Sequence, residues 1–176
     1  MQKMKTVFVI DRDTHRATQE VQLDWVMQGE GRATIKFDGT SVAVIGGKLF
    51  KRYDAKNGKS PPEGAIPCEE HPDPKTGHWP HWVPVIEGDP SSRHHLEAFD
   101  GQPDGTYELV GPKVQGNRYG LDHHEMWRHG SVEVDIERTP EAMVEWLHQN
   151  HHEGIVFHHP DGRMGKLRRK DFGIKW

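Results

Sequence analysis

Thr34-Ile35-Lys36-Phe37-Asp38-Gly39-Thr40-Ser41 is the stretch whose reading decides the fold of this chain. A β-rich run over residues 33–37 ends in the pair Asp38-Gly39, and a second apolar run starts at Val42. Asp-Gly between two apolar runs predicts a hairpin, because glycine accepts positive φ at no steric cost. Lys36 then sits at the hairpin's mouth, two residues from a carboxylate. A lysine on a rigid strand end in a partly dry pocket can lose its proton and act as a nucleophile. The plainer reading is a solvated lysine beside an ordinary turn. K-x-D-G arises easily by chance, so the rest of the chain must decide.

Downstream, residues 42–45, Gly46-Gly47 and residues 48–53 predict a second hairpin, so the first third reads as an antiparallel meander. Upstream, residues 6–10 read as an opening strand, and residues 21–27 fit a strand or a helical turn equally well. Lys51, Arg52, Lys56 and Lys59 form a local basic cluster, which is either a grip on phosphates or a solvated strand exit. Residues 60–90 carry Pro61, Pro62, Pro67, Pro72, Pro74, Pro80, Pro84 and Pro90. Such a run cannot be a helix and makes an awkward strand. It is expected to be an ordered loop insertion packed through Trp79 and Trp82. Within it Cys68, His71, His78 and His81 offer donors that suit zinc, at a spacing that matches no common zinc module. Polar or stacking histidines are the alternative.

Residues 90–99 predict a short helix capped by serine, residues 105–110 a strand carrying Glu108, and residues 132–136 another strand. Thr139-Pro140-Glu141 is a helix start, with threonine as cap and proline in the first position. That helix ends near Asn150. Glu153 opens a further strand, and Lys166, Arg168, Arg169 and Lys170 make the last run cationic.

The chain has 176 residues, a formal net charge of -4 with histidine neutral, fourteen histidines, six tryptophans and one cysteine. That length supports one sizeable core with a small insertion. The charge carries no global basic signature for nucleic acid, so such a partner must meet a local patch. A single cysteine excludes an internal disulfide framework. No apolar run reaches the length of a membrane span, and Asp11-Arg12-Asp13 interrupts the only early one. A cytoplasmic protein is expected.

Four features stand in order: Lys36-x-Asp38-Gly39, Tyr107-Glu108-Leu109, Glu153-Gly154-Ile155-Val156 and Lys166-Leu167-Arg168-Arg169-Lys170. Each is weak alone. Their order and spacing resemble the motif series of the covalent nucleotidyltransferase superfamily, which holds ATP-dependent RNA and DNA ligases and mRNA capping enzymes. The resemblance covers most of the chain and is closest to ATP-dependent RNA ligases. The segments Gly-Thr-Tyr-Glu-Leu-Val-Gly-Pro-Lys, Gly77-His78-Trp79-Pro80 and Lys-Leu-Arg-Arg-Lys-Asp-Phe-Gly are similar to a small family that joins 5′-phosphate to 3′-hydroxyl RNA ends.

The resemblance implies an α+β fold with two antiparallel sheets and flanking helices around a nucleotide cleft, of nucleotidyltransferase or ATP-grasp-like type. It implies one adenylation domain over residues 1–176, without the OB-fold that follows the cationic strand in DNA ligases. Lys36 would take AMP as a phosphoramidate, and Ile35, Asp38, Gly39 and Arg52 would line the nucleotide site. Glu108 would hold the ribose hydroxyls, and Glu153 the divalent metal, Mg2+ or Mn2+, with Glu108 and Asp38 as further metal candidates. Lys166 would contact the α-phosphate. Arg168 stands where the family has a second lysine, so either Arg168 or Lys170 fills that place. RNA contacts would fall to Lys51, Arg52, Lys56, Arg118 and Lys170. The adenine would stack on Tyr107, Tyr119 or Trp127. Cations around the site would neutralise phosphate charge and disfavour the protonated form of Lys36. The alternatives are a related DNA ligase or capping-type enzyme, and an inactive module that binds RNA ends. The sequence leaves the oligomeric state and the biological RNA open.

Overall fold

A computed structural model describes residues 1–176, the whole chain. In chain order the strands and α-helices are β1 Lys5–Thr6, β2 Phe8–Ile10, β3 Ala17–Val21, α1 Asp24–Met27, β4 Arg32–Lys36, β5 Thr40–Ile45, β6 Lys48–Asp54, β7 Ile66–Pro67 and β8 Pro80–Pro84. They continue with α2 Arg93–Ala98, β9 Gly105–Val110, β10 Glu125–Arg128, β11 Glu133–Val134, α3 Pro140–Gln149, β12 Gly154–His158 and β13 Met164–Arg168. The fold is α+β and mostly sheet. It has three sheets, not two, and one of them is mixed. No helix is long and apolar enough to cross a membrane.

The chain divides into two units. One comprises Met1–Lys3 with Asp38–His129, and the other Met4–Phe37 with Gly130–Trp176. The boundary falls inside the opening octapeptide, and this overturns the first hairpin. β4 pairs with β11 and β12 in a five-stranded sheet, whereas β5 pairs with β6 and β9 in a six-stranded one. Asp38-Gly39 is therefore a crossing from one sheet to another. Gly39 does not adopt positive φ. A Cβ there would lie 2.2 Å from the Leu109 carbonyl oxygen, so glycine is required by close approach. The second hairpin forms as expected: Gly46 and Gly47 both have positive φ, and Asp104 accepts both their N–H groups at 2.7 and 2.9 Å.

In the second unit the sheet order is β1-β13-β12-β4-β11, with β1 parallel to β13 and the other pairs antiparallel. The opening strand is split, since β2 leaves this sheet to pair with β3. The ambiguous residues 21–27 end in the helical turn α1, whose Trp25 and Val26 are buried. Ile35, Ile155 and Leu167 stand side by side on neighbouring strands and enter one core with Met143 and Leu147 of α3. That helix starts as its sequence predicts: Thr139 Oγ1 accepts the Ala142 N–H at 3.2 Å and Pro140 fills the first turn. Arg169 is buried beyond its end, donating to the Leu147 and Asn150 carbonyls and, at 2.8 Å, to that of Lys175.

In the first unit the order is β10-β9-β5-β6-β8-β7. Val42, Val44, Leu49, Tyr107 and Leu109 pack on one face with Ala98 of α2. Ala43, Phe50 and Trp82 pack on the other. The proline-rich stretch is not only a loop. β8 begins and ends on proline yet lies between β6 and β7, with Trp82 buried. The residues between its two prolines keep their ladder hydrogen bonds, which is why the strand survives. Ser92 stands at the N-cap position of α2 without a side-chain cap bond, and the capping bond is made one turn earlier, where Asp89 accepts the Ser91 N–H. The strand expected over residues 132–136 shortens to the two residues of β11.

Candidate active site

Antiparallel neighbours that stand opposite each other project to the same face of a sheet. Lys36, Gly154 and Arg168 stand in one such row, and Thr34, Val156 and Lys166 in the next. Lys36, Lys166 and Arg168 therefore share one face of the five-stranded sheet, while Ile35, Ile155 and Leu167 point into the core behind it. Gly154 leaves no side chain between Lys36 and Arg168. A Cβ there would lie 1.9 Å from the Leu167 carbonyl oxygen, so only glycine lets β13 come this near.

Lys36 Nζ donates to Glu153 Oε2 at 2.7 Å, with both side chains about four-fifths buried (19% exposed each). The Glu153 carbonyl accepts the Arg169 N–H at 3.0 Å, which ties this residue to the end of the cationic strand. Arg168 is held as a fork: its Nε and Nη2 donate to the two oxygens of buried Asp171 at 3.0 and 2.8 Å. The arrangement is a paired amine that shares one sheet face with two cations, of which Arg168 is held by a carboxylate. It suits binding of a phosphate group next to a potential nucleophile.

The first unit carries a second set. Glu108 is buried, and its Oε1 accepts the Gly39 N–H at 3.0 Å. Its Oε2 lies 2.6 Å from His129 Nε2 and accepts from Ser41 Oγ at 3.4 Å. The other ring nitrogen of His129 lies 3.0 Å from Thr106 Oγ1. Ser41, Glu108 and Trp127 stand in one row across β5, β9 and β10, on one face. Asp38 donates its backbone N–H to Tyr119 Oη at 2.7 Å, and its carboxylate lies 3.5 Å from Arg118. Tyr119 packs on Trp127 with ring centroids 4.5 Å apart. His129 has no local sequence signal. The structure alone shows it as the residue that orients Glu108.

The three adenine candidates separate. Tyr107 is a core residue whose hydroxyl donates to the Pro103 carbonyl, so it does not offer an open ring face. Tyr119 and Trp127 lie together near Asp38. The basic cluster separates too. Lys51 and Arg52 are consecutive on β6 and project to opposite faces. Lys51 Nζ binds Asp89, Ser91 and Ser92, which fastens the start of α2. Arg52 lies over the Trp82 ring and donates to Cys68 Sγ at 3.4 Å. Lys56 and Lys170 are exposed.

The zinc set is not brought together. Cys68 receives Arg52, His78 binds Asp54, buried His81 uses Nδ1 on the Trp79 carbonyl, and His71 is exposed. A different trio, His94, Glu97 and His124, has donor atoms within 4.8 Å of one another. Its hydrogen bonds define a clasp. His124 Nε2 accepts the Lys113 N–H at 3.2 Å, so Nδ1 carries the proton and donates to Glu97 Oε2 at 2.8 Å. The His94 ring stacks on His124 at 4.3 Å and 24°. Two stacked rings cannot both aim in-plane lone pairs at one ion. The backbone N–H of His124 and then its ring hold the Glu97 carboxyl below its ordinary range. Burial, and then His124, hold the His94 imidazole low.

Beyond this geometry, a family model described as RNA ligase 1 matches residues 96–176, the span that contains Glu108, His129, Glu153, Lys166 and Arg168. The chain is similar in sequence to proteins named RNA ligase 1. RNA ligase 1 of Danio rerio is 29% identical over 147 residues, covering 60% of this chain and 44% of that protein. RNA ligase 1 of Mus musculus is 26% identical over 163 residues, covering 72% of this chain and 46% of that protein. The chain thus spans just under half the length of these curated relatives.

Proposed function

We propose that this chain carries out ATP-dependent RNA ligation through an adenylate on Lys36. The observation that supports this most directly is the row Lys36, Gly154, Arg168 with Lys166 beside it and Glu153 bonded to the amine. In this reading Lys36 Nζ attacks the α-phosphorus of ATP. An N–P bond forms, the bond to the bridging oxygen breaks, and pyrophosphate leaves with the electron pair. Attack requires the neutral amine, so the Lys36–Glu153 pair must part, and Glu153 is placed to take the proton. Lys166 and Arg168 neutralise the phosphoryl oxygens from fixed positions. Glu108, oriented by His129 and the Gly39 N–H, receives the ribose hydroxyls. The adenylate then passes to an RNA 5′-phosphate, and a 3′-hydroxyl displaces AMP.

The carboxylates of Glu153, Glu108 and Asp38 are hard oxygen donors that suit Mg2+ or Mn2+. When bound, such an ion supplies charge neutralisation and orients the polyphosphate. Tyr119 and Trp127 are the aromatic groups assigned to the adenine. Intact-mass measurement after incubation with ATP and Mg2+ tests the proposal. One added adenylate, absent in Lys36→Ala, is the expected result. A wild-type protein that acquires none refutes it and favours a module that only binds RNA ends. Labelling by GTP instead of ATP favours a capping-type enzyme.

A further inference from the structure

At the C-terminal end of β13 lies a pocket of about 250 Å3, lined by Ile10, His15, Arg16, Arg168, Lys170 and Asp171. Three permanent cations face one carboxylate there. Asp171 directs both oxygens at Arg168 and is almost wholly buried, so its charge is committed to holding that guanidinium. Arg16 and Lys170 take part in none of the salt bridges of the chain. Arg16 is nevertheless placed: its Nη1 donates to the Lys170 carbonyl at 3.4 Å. The turn that presents it is tied by Asp11 Oδ1, which accepts the N–H groups of Asp13 and Thr14 at 2.9 and 2.8 Å. Like charges gathered at one pocket repel each other until an anion arrives.

The pocket shares Arg168 with the row that holds Lys36. Lys36 and Arg168 stand two strands apart in one row, so their backbones are roughly 10 Å apart. Arg16 and Lys170 line one pocket with Arg168, so the cations extend beyond the row that ends there. An in-line displacement drives the leaving group away from the nucleophile. We infer that Arg16, Lys170 and Arg168 form a polyphosphate subsite that receives the β- and γ-phosphates of ATP and holds the departing pyrophosphate. This rests on the assignment of Lys36 as the attacking amine. The same chemistry would bind a backbone phosphate of RNA, and the test separates the two sources.

The experiment is calorimetric titration of inorganic pyrophosphate into nucleotide-free protein at fixed ionic strength, for wild type, Arg16→Ala, Arg16→Lys and Lys170→Ala. Both positions are exposed, so the variants are expected to keep the wild-type Tm. Each alanine variant should weaken pyrophosphate binding about three- to ten-fold, the scale of one charge-assisted contact open to solvent, and Arg16→Lys should recover part of the loss. Binding of a 5′-phosphorylated RNA oligonucleotide, titrated in the same buffer, should not change in the Arg16 variants. Pyrophosphate that does not bind the wild type, or binds the alanine variants equally well, overturns the inference. So does weakened RNA binding with unchanged pyrophosphate binding, which would make the pocket a backbone contact. Neither titration requires nucleotidyl transfer. A protein that binds pyrophosphate here but never acquires an adenylate would refute the proposed activity and leave the pocket's chemistry standing.

Discussion

The Gly154→Ala variant tests the row of Lys36, Gly154 and Arg168 most sharply. The added methyl carbon would meet the Leu167 carbonyl oxygen at 1.9 Å and the Arg168 Cα at 3.0 Å. Both are backbone atoms and cannot swing aside as a side chain does. β12 and β13 must separate locally by about 1.5 Å to restore ordinary contact, and Arg168 moves with its backbone. Overpacking of this kind costs roughly 1–3 kcal/mol, which should lower Tm by several degrees. The effect on chemistry should be larger, because a misplacement of about 1 Å in a positioned group can cost about a hundredfold in rate. Gly154 does not have positive φ, so conformational strain at alanine adds nothing to the effect. Single-turnover adenylation at saturating ATP, read by intact mass, measures the rate, and calorimetry measures stability. A Gly154→Ala protein that acquires adenylate at the wild-type rate would refute the claim that this contact sets the spacing of the reactive face.

Lys36→Arg keeps a cation beside Glu153 and should preserve Tm while abolishing adenylate acquisition, since a guanidinium is not a nucleophile at neutral pH; intact mass checks this. His129→Ala removes the ring that lies 2.6 Å from Glu108 and should raise KM for ATP more than it lowers kcat, with a smaller effect when 2′-deoxy-ATP is the substrate; equal effects on both nucleotides would remove Glu108 from ribose recognition. Arg169→Ala deletes the donor to three carbonyls around the end of α3 and should cost about 3 kcal/mol, seen as an earlier urea midpoint. Burial, and then Lys51, lower His95 from 6.5 to about 4, so the unfolded chain binds more protons between these values. The stability that His95 contributes is complete above about pH 6.5 and falls as pH drops toward 4. The Tm-pH profile should flatten in that window in His95→Gln.

The elements that the sequence made legible are those whose signals are local. The threonine cap and first-turn proline of α3, and the Gly46-Gly47 turn, depend on residues a few positions apart, and both form as expected. The octapeptide around Lys36 misleads because Asp-Gly has two uses. A turn needs the positive φ of glycine, whereas this crossing needs the missing Cβ, and a single sequence does not distinguish them. β8 was hidden because its prolines sit at its ends, where the ladder tolerates them. In the candidate site the cationic row was visible as an alternation of Lys166 and Arg168 around Leu167. The partnerships of Glu108 with His129 and of Asp38 with Tyr119 join residues far apart in the chain and leave no mark at either position.

The two segments of the second unit, Met4–Phe37 and Gly130–Trp176, are separated by the whole of Asp38–His129. During synthesis β4 leaves the ribosome long before either of its neighbours exists. The strand bearing Lys36 must wait as an unpaired edge until β11 and β12 emerge, while the six-stranded sheet can form from the contiguous chain of Asp38–His129. The amine therefore gains its setting only once β12 and β13 have been translated, and a nascent chain stalled before β12 would expose a sticky strand without its cationic neighbours. Chaperone capture of such stalled chains, released once β12 and β13 are translated, is the cellular signature this topology implies.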